Sequence, residues 1–200
     1  MNGSAAQRQR LRVVKVGGSL LDWPPHAATL ARWLDEQPAA HQVLVAGGGK
    51  LADFVRQADR VHRLGEAAAH WLSIDAMSAS ARLLATLLCG RAIRITSLGE
   101  LQAILTADVP AVAVFECAEF LRDVEPQASG TVLPHTWSVT SDSIAARLAK
   151  HLQADELVLL KSQTAPPHGT LADLAECGYV DRFFPTAAQA IAVRLVNLRG

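Results

Sequence analysis

The sequence has no surplus of charge: 19 Lys and Arg offset 19 Asp and Glu over 200 residues. That balance argues against the strongly basic surface by which proteins hold nucleic acid or an anionic membrane. Cysteine is scarce and odd in number. Cys89, Cys117 and Cys177 stand far apart, with neither zinc spacing nor a disulfide framework, and they read as reduced, mostly buried thiols. No apolar run approaches the roughly 18 residues of a membrane span, and the N-terminus carries charge but no apolar signal core. A soluble, cytoplasmic protein is expected. The one local charge excess, Arg8, Arg10 and Arg12, reads as a solvated arm over residues 1–10 leading into the first strand. Aromatic residues make up only 5%, yet half of all residues are hydrophobic. That is enough for one sizeable core, and a single domain over 1–200 is expected.

What is present is an alternation of short β-like runs and longer helical stretches. Leu11 to Val16, Gln42 to Ala46, Ala92 to Ile95, Ala111 to Phe115, Leu157 to Leu160 and Ile191 to Leu198 read as strands. Helices are predicted over His26 to Glu36, over Leu51 to Ala58 with Leu51, Phe54, Val55 and Ala58 on one face, and over Glu66 to Leu88. Two more are predicted over Ser141 to Leu152 and Leu171 to Cys177. Apolar strands separated by helices predict an α/β fold: a three-layer αβα sandwich on a mostly parallel open sheet. Ligands in such sheets gather at the carboxyl ends of the strands. Both glycine clusters of the chain fall at such ends.

The first cluster follows Lys15 in the run Lys15-Val16-Gly17-Gly18-Ser19-Leu20. A lysine in an apolar strand is costly unless its ammonium emerges at the strand end, and the glycines let backbone N–H groups approach an anion. A tight turn beside a snorkelling lysine explains the same residues. The second cluster, Gly47-Gly48-Gly49-Lys50, empties a strand onto a helix N-terminus, where an anion is favoured. Leu51 follows Lys50 where a Walker loop has Ser or Thr. Two separate cradles would suit two phosphorylated groups. Two further segments stand out: Thr140-Ser141-Asp142, able to cap and polarise a helix start, and Lys161-Ser162 at the end of another apolar strand.

Together these four segments resemble the amino acid kinase family, from Val13 to about Ser162. The resemblance implies ATP as donor and Mg²⁺ brought by it; the sequence itself shows no dedicated carboxylate cage for a metal. It implies that Lys15 stabilises the transferring phosphoryl group, that Asp142 orients lysines, and that Lys161 serves the nucleotide side, with Gly17, Gly18, Ser19 and Ser162 near the nucleotide phosphates. Gly47, Gly48, Gly49, Asp53 and Thr140 would then face the acceptor. Ala69-His70-Trp71, Pro134-His135-Thr136-Trp137 and Gly178-Tyr179-Val180-Asp181 resemble the branch of archaeal kinases in methanofuran synthesis. That resemblance implies an (aminomethyl)furanmethyl phosphate as acceptor. It places Trp71 and Trp137 against the ring, Asp53 or Asp75 against its amine, and His70 among the substrate-binding residues. His70 and Trp71 are equally explained as packing of the long helix. Arg56, Arg60 and Arg63 near the second cradle could instead clamp the carboxylate of an amino acid, and UMP or isopentenyl phosphate also stays open as acceptor. Gln163 to Pro167 replaces the Asp-Gly loop with which many relatives seat the nucleotide, so a silent nucleotide-binding regulator of the same fold is the alternative function. The resemblance also implies a homo-oligomer.

Overall fold

A computed structural model describes residues 9–167 and 169–200. Most of the expected basic arm, including Arg8, and His168 of the Pro166–Gly169 loop lie outside the described residues. Six parallel strands form one sheet: β1 (Leu11–Val16), β2 (His41–Ala46), β3 (Ile93–Ile95), β4 (Val112–Phe115), β5 (Glu156–Lys161) and β6 (Val193–Asn197). Their spatial order is β3-β4-β2-β1-β5-β6. Every pairing is parallel, as the short, fully apolar runs predict for strands covered on both faces. The helices are α1 (His26–Asp35), α2 (Gly49–His62), α3 (Glu66–Leu87), α4 (Leu98–Leu105), α5 (Ser141–His151), α6 (Leu171–Glu176) and α7 (Phe184–Ala187).

Side chains alternate across each strand, and the two faces build two cores. On one, Val13, Val43, Val45, Leu157 and Leu159 pack with Leu101 of α4, Ile144 and Leu148 of α5, Leu174 of α6 and Phe184 of α7. On the other, Val14, Val16, Leu44, Val158 and Leu160 pack with Leu30 and Leu34 of α1. Helix α3 contributes to both: Ile74 and Met77 join the first, Ala81 and Leu84 the second. Among the described residues no helix is long and apolar enough to cross a membrane.

Four local expectations are corrected. Helix α2 is longer than its periodicity suggested, and it buries Val55 while Leu51 and Phe54 are exposed, Phe54 to 72%. Cys89 and Cys177 are exposed and only Cys117 is buried. Arg12 is not part of a solvated arm. It is buried within β1, where its guanidinium pairs with Glu156, because a charge in a central strand must be partnered. Helix α4 was not expected, although Ser97 and Glu100 form a capping box at its start, the reciprocal pairing that satisfies two free N–H groups.

The chain runs from β1 to β2 beside it, then to β3 at the far edge, and back to β4 between β3 and β2. It then returns to place β5 on the other side of β1. The connections leaving β1 and β5 therefore lead to helices on opposite faces of the sheet, which places a crevice at their carboxyl ends. Gly17 N–H donates to Leu160 O at 2.8 Å across the floor of that crevice.

Candidate active site

Strand parity brings the two lysines together. Lys15 lies on the face of β1 that carries Leu11 and Val13, and Lys161 on the face of β5 that carries Leu157 and Leu159. Lys15 pairs in register with Leu159, two residues before Lys161. Helix α5 covers this face and begins at the same end of the sheet, so Asp142 in its first turn projects between the two ammonium groups. Lys15 Nζ lies 2.9 Å from Oδ1 and Lys161 Nζ 2.6 Å from Oδ2. The Lys161 contact is a directed hydrogen bond. The Lys15 contact is an ion pair to the other carboxylate oxygen. Lys161 also donates to Tyr179 O at 2.9 Å.

Only 3% of Asp142 and 5% of Lys15 are exposed. Burial alone would raise the Asp142 carboxyl, but the flanking ammoniums of Lys15 and Lys161 outweigh it and hold it below its ordinary value. Burial, with Lys15 nearby, pulls Lys161 below an ordinary lysine, and Asp142 opposes that shift. The cluster thus holds two cations to one buried anion, a standing demand for further negative charge.

The glycine clusters meet in a single floor, where two separate cradles were expected. A Cβ on Gly18 would fall 2.2 Å from Gly49 N, and one on Gly47 would fall 2.8 Å from Gly18 N. Gly49 has φ +53°, the left-handed region that glycine adopts without a Cβ clash. Ser19 Oγ is 2.9 Å from Ser162 Oγ, a bridge between the loops after β1 and β5.

Beside this floor lies a cavity of about 250 Å³. Gly18, Ser19 and Gly47 to Gly49 line one part of it. Asp53 and Arg56 of α2, His70, Ile74 and Met77 of α3, and Trp137 and Thr140 line the rest. Arg56 donates to Asp53 at 2.8 Å and its guanidinium lies 4.9 Å above the Trp137 ring. The Trp137 indole N–H donates to Asp59 at 2.8 Å, which fixes the ring. His70 stacks on His135 at 4.7 Å. Burial, with His135 beside it, lowers its pKa to about 4, so its ring is neutral at neutral pH.

Trp71 does not line the cavity. It packs edge-on to His70 and His135, under Arg122. Asp75 is turned away as well, 3.5 Å from Arg122. Arg60 and Arg63 are also absent from the lining, so of the residues offered for a carboxylate clamp Arg56 alone reaches it. Sequence reasoning overlooked Asp181, whose carboxylate accepts from the backbone and hydroxyl of both Thr140 and Ser143. It overlooked the Tyr179 carbonyl too. Both residues lie in the Gly178-Tyr179-Val180-Asp181 segment that carries part of the resemblance, but nothing in that segment announces these roles.

The sequence model described as the amino acid kinase family matches residues 10–164. A [5-(aminomethyl)furan-3-yl]methyl phosphate kinase from Methanocaldococcus jannaschii is 25% identical over 162 residues, covering 74% of this chain. The chain spans 64% of the length of that relative. Among solved structures, UMP kinase from Bacillus anthracis has a TM-score of 0.66 at 14% identity, covering 97% of this chain and 89% of its own. Uridylate kinase from Archaeoglobus fulgidus has a TM-score of 0.61 at 19% identity, covering 92% and 89%. These two likenesses establish the fold.

Proposed function

Since the chain belongs to the amino acid kinase family, we propose that it is an ATP-dependent kinase that phosphorylates a small phosphorylated acceptor. The observation that carries this reading is Asp142, buried between Lys15 and Lys161 at the mouths of two adjacent strands. Phosphoryl transfer asks little covalent chemistry of a protein; positioning and charge neutralisation dominate. An excess of one positive charge, beside a floor where no side chain can stand, suits a polyanion. The donor set fits ATP for that reason: two ammoniums, the Ser19 and Ser162 hydroxyls, and backbone N–H groups of the glycine loops other than Gly17 and Gly47, which donate to Leu160 O and Val16 O. Mg²⁺ would arrive with the nucleotide. Among the described residues no group of three His, Cys, Asp or Glu forms a cage for it.

In the proposed reaction an oxygen of the acceptor phosphate attacks the γ-phosphorus. The bond from that phosphorus to the β-bridging oxygen breaks, ADP leaves, and the acceptor becomes a diphosphate. The attacking oxygen is already anionic, so no general base is needed. Lys15 neutralises the transferring group, Lys161 the nucleotide side, and Asp142 holds both lysines in place.

For the acceptor we propose an (aminomethyl)furanmethyl phosphate, the substrate class in the name of the M. jannaschii relative. The phosphate would lie at Gly47–Gly49, where α2 begins. The ring would lie against Trp137, Ile74 and Met77. The amine would face Asp53, since Asp75 points elsewhere. The protein would act in the cytoplasm as a homo-oligomer, whose mass light scattering measures.

The test offers Mg-ATP with (aminomethyl)furanmethyl phosphate, isopentenyl phosphate, UMP, aspartate and acetylglutamate at equal concentration. The furan phosphate should show the highest kcat/KM. A better rate with another acceptor reassigns the substrate, and no transfer to any of them refutes the kinase reading.

A further inference from the structure

Helix α5 begins at the centre of the candidate active site, yet its first turn is held by a residue far downstream. The Asp181 carboxylate accepts five hydrogen bonds. Oδ2 takes Thr140 N at 2.9 Å, Thr140 Oγ1 at 2.8 Å and Ser143 N at 3.1 Å. Oδ1 takes the Ser143 hydroxyl, and Phe183 N at 3.1 Å. A carboxylate offers about four lone-pair positions, so Asp181 is saturated by this loop-to-helix junction. The two residues it grips bracket Asp142 on both sides.

The same segment fixes the second lysine and the approach to the helix. Tyr179 O accepts from Lys161 Nζ at 2.9 Å. Phe183 N donates to Ser138 O at 3.2 Å, in the loop that leads to Thr140. Ordinary capping of α5 by Thr140 alone is weak by comparison, since Asp142 N lies 3.4 Å from Thr140 Oγ1. The shorter bonds at this helix start are those to Asp181. All of Tyr179–Phe183 lies beyond the residues 10–164 matched by the family.

We infer that Asp181 is a positioning residue for phosphoryl transfer: through Thr140 and Ser143 it sets the orientation of Asp142, and so the spacing of Lys15 and Lys161. The inference rests on the kinase reading above. A carboxylate that merely capped a helix would contribute stability and leave the transfer rate per folded molecule unchanged. A carboxylate that aims Asp142 must act on the rate, and must lose that action once Asp142 can no longer hold the lysines. Misplacement of reacting groups by even about 1 Å costs roughly 10²-fold.

The experiment is a double-mutant cycle of Asp181→Asn and Asp142→Asn in the full chain, read in kcat and in the lysine NMR spectrum. The chain has four lysines, Lys15, Lys50, Lys150 and Lys161, so their ¹³Cε signals are resolvable. Asp181→Asn should lower kcat about 10-fold or more while KM for ATP changes less than about two-fold. In the Asp142→Asn background it should have little further effect. The Lys15 and Lys161 signals should move in the first background and hardly in the second. Equal effects in both backgrounds, or a lower melting temperature with unchanged kcat, overturn the inference. If the wild type phosphorylates no acceptor, the kinase reading fails, and the lysine signals alone decide the positioning role. Should Asp181→Asn not fold, Ser143→Ala removes one of the five hydrogen bonds without altering charge and enters the same cycle.

Discussion

Replacing Asp142 by Asn removes one charge, keeps the shape of the side chain, and leaves two ammonium groups facing each other in a site that is almost closed to water. The two contacts it weakens are 2.9 and 2.6 Å long. Removing one partner of a buried ion pair typically costs about 3–5 kcal/mol. Here the amide oxygen can still accept from one lysine, and Lys161 can shed its proton, so a loss of about 2–4 kcal/mol is expected. For a chain of this size that lowers the melting temperature by on the order of 10 °C. The rate should fall about 10²–10³-fold, the loss usual for a preorganised electrostatic group. Two pH signatures accompany these losses. Asp142 has a depressed carboxyl, so its stabilisation is present above the unfolded value of about 3.9 and is lost as pH falls through the folded one. The gap in melting temperature between wild type and variant should therefore close below about pH 4. Burial and Lys15 already lower Lys161, and Asp142 is the main group that opposes them, with a smaller contribution from Asp181. Without that charge Lys161 loses its proton at lower pH, and the alkaline limb of the kcat profile moves down with it. Thermal melts and initial rates across pH test both. A destabilised variant with unchanged kcat and an unmoved alkaline limb would refute the reasoning and leave Asp142 a structural residue.

Lys15→Ala removes a buried ammonium but leaves the Lys161–Asp142 bond, so the fold should persist while kcat falls about 10²–10³-fold; steady-state kinetics beside circular dichroism check this, and near-normal turnover contradicts it. Gly18→Ala places a Cβ 2.2 Å from Gly49 N, so both loops must part. KM for ATP and for the acceptor should rise together in titrations, and a rise confined to one shows that the loops serve their ligands independently. Asp53→Asn should raise KM for an acceptor bearing an amine and leave KM for isopentenyl phosphate unchanged; equal effects on both remove Asp53 from amine recognition. His70 is neutral down to about pH 4, so the unfolded chain binds its proton first on acidification. Stability should therefore drop as pH falls from about 6.5 toward 4, and His70→Gln should flatten part of that drop in thermal melts.

The strands were legible because parallel strands buried on both faces must be apolar throughout, and Leu157–Leu160 has no other reading of its length. The lysines were legible for a related reason: a charge in such a run is tolerable only near its end or with a partner, as Arg12 has in Glu156. Their partnership with Asp142 was not, because sheet order depends on how β5 returns beside β1, and periodicity is silent on which strands become neighbours. Helix α2 shows a second limit. A period of 3.6 marks a stripe, but Leu51 and Phe54 point outward while Val55 points in, and the choice of side is made by α3 and the glycine floor. Trp71 illustrates a third. One helical step from His70 was enough to take it out of the cavity and into a cluster with His135 and Arg122. The start of α4 is readable in the sequence, since Ser97-x-x-Glu100 is a capping signature. Asp181 could not be read locally, because its five donors come from residues scattered between Thr140 and Phe183.

The merging of the glycine loops into one floor divides the molecule into a part that can drift and a part that cannot. With no side chain between Gly18 and Gly49, every substitution there is a wedge driven into both loops at once. The wall across from that floor is built differently: Asp53, Arg56, His70 and Trp137 are ordinary side chains on helices and a loop, each replaceable without disturbing a backbone. A lineage carrying this scaffold can therefore retailor what it accepts by changing the wall residue by residue. The charged machinery at the ends of β1 and β5 would pass through such changes untouched.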